Sequence, residues 1–131
     1  MKKDGVLHHT LSEVIATMGH MDMLVIGDAG LPIPRETQRI DLALTAGIPG
    51  FIATVQAVTC ELKVQAIIVA EETEKVSPEI YRQLLGLFPD AELRKVSHEE
   101  LKALCARSVA VVRTGEFTPY ANVILVSGVV F

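Results

Sequence analysis

The sequence of 131 residues predicts an α/β fold: a layered sheet, mostly parallel with some antiparallel pairing near its end, covered by helices. Three observations predict it. Apolar runs such as Leu24-Val25-Ile26 and Val64 to Ala70 lack the alternation of a half-wet strand, and read as strands buried on both faces. Segments with apolar residues at helical spacing alternate with these runs. Residues that start and stop helices stand between the two kinds of segment.

In chain order, Thr10-Leu11-Ser12-Glu13 reads as a capping box, whose hydroxyl and carboxylate satisfy N–H groups at a helix start. Leu11, Val14, Ile15 and Met18 recur at helical spacing behind it until Gly19 stops the run. Met23 to Gly27 is a strand too apolar to have a wet face, and Arg39 to Ala43 is a shorter strand. Gly47-Ile48-Pro49-Gly50 is a break, after which Phe51, Val55, Val58 and Leu62 mark a second helix. Val64 to Ala70 is the next buried strand. Ser77-Pro78-Glu79 then supplies an N-cap, a proline suited to the first turn and an early acid for a helix carrying Ile80, Leu84 and Leu87. Leu93 to Val96 is a strand, and Ser97 with Glu100 forms a second capping box ahead of Leu101, Leu104 and Cys105. Val109 to Val112 and Val123 to Val130 complete the strands. No repeat, low-complexity tract or linker interrupts the series, so one domain spanning 1–131 is expected.

Hydrophobic residues make up 50% of the chain, and counting the nine glycines raises the apolar share to about 57%, above the ~45–50% usual for soluble domains. No apolar run approaches the ~18–20 residues of a membrane-spanning helix, and Met1-Lys2-Lys3-Asp4-Gly5 leads into no signal-peptide core. A cytoplasmic location without membrane insertion is therefore expected. Contacts between copies are the expected sink for the apolar excess, because permanent homo-oligomer interfaces resemble a domain core cut in half. A net charge of −4, with lysines and arginines scattered, argues against a nucleic-acid partner. Cys60 and Cys105 lack metal spacing and sit in apolar helical patterns, so both are expected to be reduced packing residues. The sequence contains no G-x-G-x-x-G, P-loop, H-E-x-x-H or paired C-x-x-C, and neither a cofactor nor a metal is expected.

Candidate chemistry gathers in three segments. His20 directly follows the first helix and is the side-chain type whose charge changes near neutral pH. The plainer account, on the residues alone, is a surface histidine whose charged form the helix dipole favours by ~0.3–1 kcal/mol. Asp28 stands just past the carboxyl end of a buried strand, where open α/β sheets collect ligands, but it also suits a turn before Ala29-Gly30. His98 falls in a first helical turn, where the dipole favours a neutral imidazole suited to hydrogen bonding. An exposed residue behind the Ser97 cap explains it equally well. Tyr120, Ala121 and Asn122 open the last strand, which would put Tyr120 and Asn122 on one face; a stiff loop after Pro119 explains them too. Asp22, Asp41, Glu71, Glu72 and Glu116 read as ion-pair or cap residues, since nothing in the sequence gathers them.

Met1-Lys2-Lys3, Gly19-His20-x-Asp22, Asp28-Ala29-Gly30-Leu31-Pro32-Ile33-Pro34, Arg39-Ile40-Asp41, Ala70-Glu71-Glu72 and Thr118-Pro119-Tyr120-Ala121-Asn122 act together as a signature. In order and spacing, over essentially the whole chain, they resemble the D-ribose pyranases and their relatives the fucose mutarotases. His8-His9 departs from the usual asparagine and small polar residue, and the segment between Leu84 and Val96 is short. Both departures read as variation away from the site. The resemblance implies an isomerase that interconverts the pyranose and furanose forms of free D-ribose. It implies His20 as general acid, Asp28, His98, Tyr120, Ala121 and Asn122 as sugar contacts, no cofactor, and a homodecamer of stacked pentameric rings. The reaction needs only proton transfer, which one histidine can serve. A fucose mutarotase would reclose the ring on its original oxygen. A non-catalytic sugar-binding protein would keep the contacts but need no His20, and a metal-assisted aldose–ketose isomerase would need several converging carboxylate and histidine ligands.

One length bears on assembly. Five residues from Met23 to Gly27, at ~3.3 Å each, hold the strand ends roughly 16 Å apart. His20 and Asp28 of one chain are then too distant to grip one small sugar unless the chain doubles back. Head-to-tail contact around a ring would instead bring His20 of one copy to Asp28 of the next.

Overall fold

Eleven elements follow one another along residues 1–131, all of which are described by the computed structural model. They are α1 His9–Thr17, β1 Met23–Gly27, β2 Gln38–Asp41, α2 Phe51–Thr59, β3 Val64–Ala70, α3 Glu71–Val76, α4 Pro78–Leu87, β4 Glu92–Val96, α5 His98–Cys105, β5 Ala110–Arg113 and β6 Val123–Ser127. The six strands form one sheet in the order β2-β5-β1-β6-β3-β4. Three pairings, β1 with β5, β2 with β5 and β3 with β4, are parallel. Only β6 is reversed, and it lies antiparallel between β1 and β3.

Alternate residues of each strand feed two cores. Leu24 and Ile26 pack with Leu11 and Ile15 of α1, Val55 and Val58 of α2 and Leu84 of α4. Val25 faces the other way, with Ile68, Val111 and Ile124, against Leu101 and Cys105 of α5. A sheet covered on both faces has no wet side, which is why β1 and β3 read as continuous apolar runs.

Local chemistry moved several predicted boundaries. α1 begins before Thr10: the Ser12 N–H bonds the His8 carbonyl at 2.9 Å, and His8 Nδ1 accepts from the Leu11 N–H at 3.3 Å, so His8 is the N-cap. β2 ends at Asp41, whose carboxylate accepts from the Ala43 N–H at 3.1 Å in a side-chain turn. α2 ends at Thr59, since the N–H groups of Glu61 and Leu62 both turn back to the Val58 carbonyl. β6 ends at Ser127, because the next N–H, of Gly128, goes to Lys63, leaving Val130 and Phe131 exposed. Ser77 holds the N-cap position of α4, but its hydroxyl makes no cap bond. Helix α3 was not predicted; Thr73 is its one buried residue, so it shows no apolar period. Cys105 is buried, which pushes its thiol up to about 11, whereas Cys60 is exposed beyond the last turn of α2 and does not pack in the core. No helix is long and apolar enough to cross a membrane.

Candidate active site

Strand direction decides which loops meet. The five mutually parallel strands all finish at one edge of the sheet, and the reversed β6 starts there. Asp28 after β1, α3 after β3, His98 after β4, Thr114 to Glu116 after β5 and Tyr120 to Asn122 before β6 therefore share that edge. β6 also divides the sheet into a β1-β5-β2 side and a β3-β4 side, a divergence of the kind where α/β sheets open a crevice.

Asn122 is fully buried at this divide and is tied to Asp28 twice. Its Oδ1 accepts from the Asp28 N–H at 2.9 Å, and its Nδ2 donates to Asp28 Oδ2 at 3.1 Å. The other carboxylate oxygen accepts from the Gly30 N–H at 2.9 Å. An ionised carboxylate offers about four acceptor positions, so room remains for two more donors. Gly27 makes the pairing sterically feasible: a Cβ there would stand 2.6 Å from Leu31 Cδ2 and 2.9 Å from Asn122 Oδ1.

Tyr120 does not lie on an extended strand, contrary to the sequence expectation. Its φ of 59° is left-handed, and β6 begins only at Val123. Its carbonyl accepts from the Thr73 hydroxyl at 2.7 Å and the Asn122 N–H at 2.9 Å, bonds that an extended chain would not bring together. The preceding Pro119 carbonyl accepts from the Ser77 hydroxyl at 2.6 Å. Tyr120 and Asn122 thus diverge: the amide turns inward to Asp28, while the phenol ring meets His98 edge to face, with centroids 5.0 Å apart. Ala121 between them is buried in the core. Ser97 caps α5 as expected, accepting from the Glu100 N–H at 3.1 Å, and the Glu72 carboxylate accepts the His98 N–H at 2.7 Å. Nδ1 of His98 is buried without a hydrogen-bond partner in the chain.

Beside this group Asp28, Arg113, Glu116, Phe117 and Pro119 help line an open cleft of about 400 Å³. Arg113 donates to the Ala29 carbonyl at 3.0 Å and pairs with Asp41 at 3.2 Å. Glu116 serves as a remote cap for α2, whose N-cap Gly50 has no side chain: it accepts from the Phe51 N–H at 3.1 Å, and from the Thr118 hydroxyl at 2.8 Å. Burial works against the Glu116 charge, yet these donors outweigh it and hold the carboxyl below its ordinary value. Asp22 accepts from the Gly19 N–H at 2.7 Å. Asp41, Glu72 and Glu116 accordingly have the cap and ion-pair roles expected of them, whereas Asp22 closes a local turn and Glu71 is exposed. Sequence reasoning passed over Thr73 and Arg113 and read Ser77 only as a helix cap, since each acts on a residue more than 40 positions away.

His20 lies elsewhere. It is exposed at the opposite edge of the sheet, where its Nε2 is 2.9 Å from Gln65 Oε1 at the start of β3. Next to it the Met21 N–H bonds the Ser127 carbonyl at 2.9 Å, at the far end of β6. The fold therefore brings Asp28, His98, Tyr120, Ala121 and Asn122 to one edge and leaves His20 of the same chain at the other. No three His, Cys, Asp or Glu side chains converge in an arrangement that could hold a metal ion.

A sequence model described as the RbsD / FucU transport protein family matches residues 1–130. A relative named D-ribose pyranase, from Chloroflexus aggregans, is 58% identical over 131 residues, covering 100% of both chains. Among solved structures, Bacillus subtilis RbsD complexed with D-ribose superposes with a TM-score of 0.97 at 45% identity, again covering 100% of each chain. The Streptococcus pneumoniae fucose mutarotase in complex with L-fucose reaches a TM-score of 0.76 at 20% identity over 93% of each chain, a likeness of fold alone.

Proposed function

This chain belongs to the RbsD / FucU transport protein family, and from that premise we infer that it is an isomerase that interconverts the pyranose and furanose forms of free D-ribose. The observation that carries the ribose assignment is the 58% identity, without a gap in coverage, to a protein named D-ribose pyranase. The fucose-binding neighbour, at 20% identity, supports only the shared architecture.

In this reading the whole chain acts as one domain, and the edge holding Asp28 binds the sugar. The acceptor positions left free on the Asp28 carboxylate take two neighbouring hydroxyls, while Asn122 fixes its orientation. His98, whose ring meets the Tyr120 phenol edge to face, adds a contact on the same edge. Tyr120 and the backbone at Ala121 complete the wall. His20 donates a proton to the ring oxygen as the anomeric hydroxyl gives its own to solvent. The bond from the anomeric carbon to the ring oxygen breaks, leaving the open-chain aldehyde. A different hydroxyl then adds to the carbonyl carbon, returning its proton to His20 while the carbonyl oxygen takes one from solvent, and the five-membered ring closes with the acid restored. Because His20 and Asp28 flank a five-residue strand, roughly 16 Å long, the acid comes from a neighbouring copy. A cytoplasmic homodecamer of stacked pentameric rings supplies that contact throughout.

Exchange NMR of D-ribose with and without the protein tests the assignment. The expected result is accelerated pyranose–furanose exchange of ribose, larger than any effect on the ring forms of L-fucose. No acceleration with ribose, or a larger one with fucose, would overturn it. His20→Ala is expected to lose ~10²–10⁴-fold of the exchange rate while still binding ribose.

A further inference from the structure

We propose that Thr73, supported by Ser77, is a positioning residue for the sugar wall: its buried hydroxyl holds Tyr120 in the left-handed conformation that sets the phenol against His98. This rests on the reading of Tyr120 as a sugar contact.

Tyr120 has a φ of 59°. Bulky L-residues rarely adopt that region, and they persist in it where the surroundings over-determine the backbone. Here the surroundings are specific. Two consecutive carbonyls, of Pro119 and Tyr120, each receive a side-chain hydroxyl, from Ser77 at 2.6 Å and from Thr73 at 2.7 Å. Both hydroxyls come from the end of β3 that carries α3 and the start of α4. α3 is otherwise a polar, six-residue helix in which Thr73, with no exposed surface, is the one buried side chain. Its burial thus serves a single polar contact more than it serves the core. The same helix acts on the second ring of the pair, since Glu72 accepts the backbone N–H of His98. α3 thereby fixes the backbone behind both the phenol and the imidazole, which meet at 5.0 Å. Without the Thr73 hydroxyl, the peptide after Tyr120 is free to relax toward the extended conformation, and the phenol swings away from His98.

The test uses the full-length protein. The chain has two tyrosines and no tryptophan, so a Tyr81→Phe parent makes Tyr120 the sole tyrosine and its near-UV circular dichroism a direct reporter. On this parent, Thr73→Val removes the hydroxyl at nearly constant volume, and Thr73→Ser keeps it while removing the methyl. Thr73→Val is expected to raise the ribose KM about five- to tenfold, the loss of one hydrogen bond, with kcat within about twofold. It is also expected to diminish the tyrosine band, and Thr73→Ser is expected to restore both. Parent-like KM and tyrosine signal in Thr73→Val would overturn the proposal, as would equal losses in Thr73→Val and Thr73→Ser, which would make the role one of packing. Should Thr73→Val fail to fold, Ser77→Ala carries the same expectation in KM and signal, and no change there overturns it. A parent without ribose exchange would overturn the functional reading instead, and the tyrosine signal would still judge the clamp.

Discussion

At the scale of single residues, Asn122 binds the site to the fold. Its amide meets both the backbone and the carboxylate of Asp28 from a fully buried position, so truncation leaves two polar groups without their partner. Asn122→Ala is expected to lower unfolding stability by about 1–3 kcal/mol in urea titrations and to weaken ribose binding together with it. Wild-type stability would mean that water replaces the amide. Glu116 offers a test by pH. Its folded-state carboxyl lies below its ordinary value, so it stabilises the fold above the unfolded-state pKa, and that contribution fades as pH falls through the lowered folded value. Below about pH 4, acid unfolding of the wild type is therefore expected to be steeper than that of Glu116→Gln; superimposable acid limbs would contradict it. Both residues were visible in the sequence, but only as types. Asn122 and Asp28 are 94 positions apart and Glu116 is 65 from Phe51; spacing carries no trace of partners so distant.

At the scale of elements, legibility follows burial. β1 and β3 match their predicted bounds because every residue near their centres is enclosed, and an apolar run ends where enclosure ends. β2 and β4, largely exposed, drifted by a residue or two, and α3 escaped notice because one buried threonine makes no period. Caps were half readable. Ser97 behaves as its type suggests, whereas Ser77 is drawn to Pro119 and a histidine takes the place expected of Thr10. The turn after β5 shows a constraint that only packing reveals. Gly115 exchanges backbone bonds with the segment 47–49, accepting from the Gly47 N–H at 2.6 Å and donating to the Pro49 carbonyl at 2.8 Å. A Cβ on it would stand 2.5 Å from the carbonyls of Thr45 and Ile48. Backbone atoms cannot rotate away as a side chain can, so Gly115→Ala is expected to cost about 1–3 kcal/mol and to lower the melting temperature in calorimetry. An unchanged melt would show that the 44–50 loop yields freely.

At the scale of the whole molecule, composition foretold an excess that the fold leaves outside. Leu44, Phe117 and Leu7 are 81%, 71% and 70% exposed, and Val130 and Phe131 stand free at the carboxyl end. Apolar groups so placed suit contact with other copies of the chain. The separation of His20 from Asp28 supplies the functional test of such contact. Equal amounts of His20→Ala and Asp28→Ala chains, each inactive alone, are unfolded, mixed and refolded. If each pocket draws the two residues from different copies, about a quarter of the pockets regain both. Mixed oligomers, verified by native mass spectrometry, that recover no exchange would place both residues in one chain's pocket. Sequence could pose this question from strand length alone, but not answer it, because which ends of the sheet face each other is a property of the assembly.

The reversed central strand has one further effect. β6 touches both ends of the proposed chemistry: Asn122, next to its first residue, grips Asp28, and Ser127, its last, accepts the N–H of Met21 beside His20. Strands can slip in register, and a slip of one residue would exchange the two faces of β6, sending Ile124 and Leu125 to opposite cores. It would also withdraw Asn122 from Asp28 at the same moment as it pulled Ser127 from Met21. The two edges are thus spaced by a strut rather than set independently, and a misfolded chain that lost the contacts at one edge would lose those at the other with them.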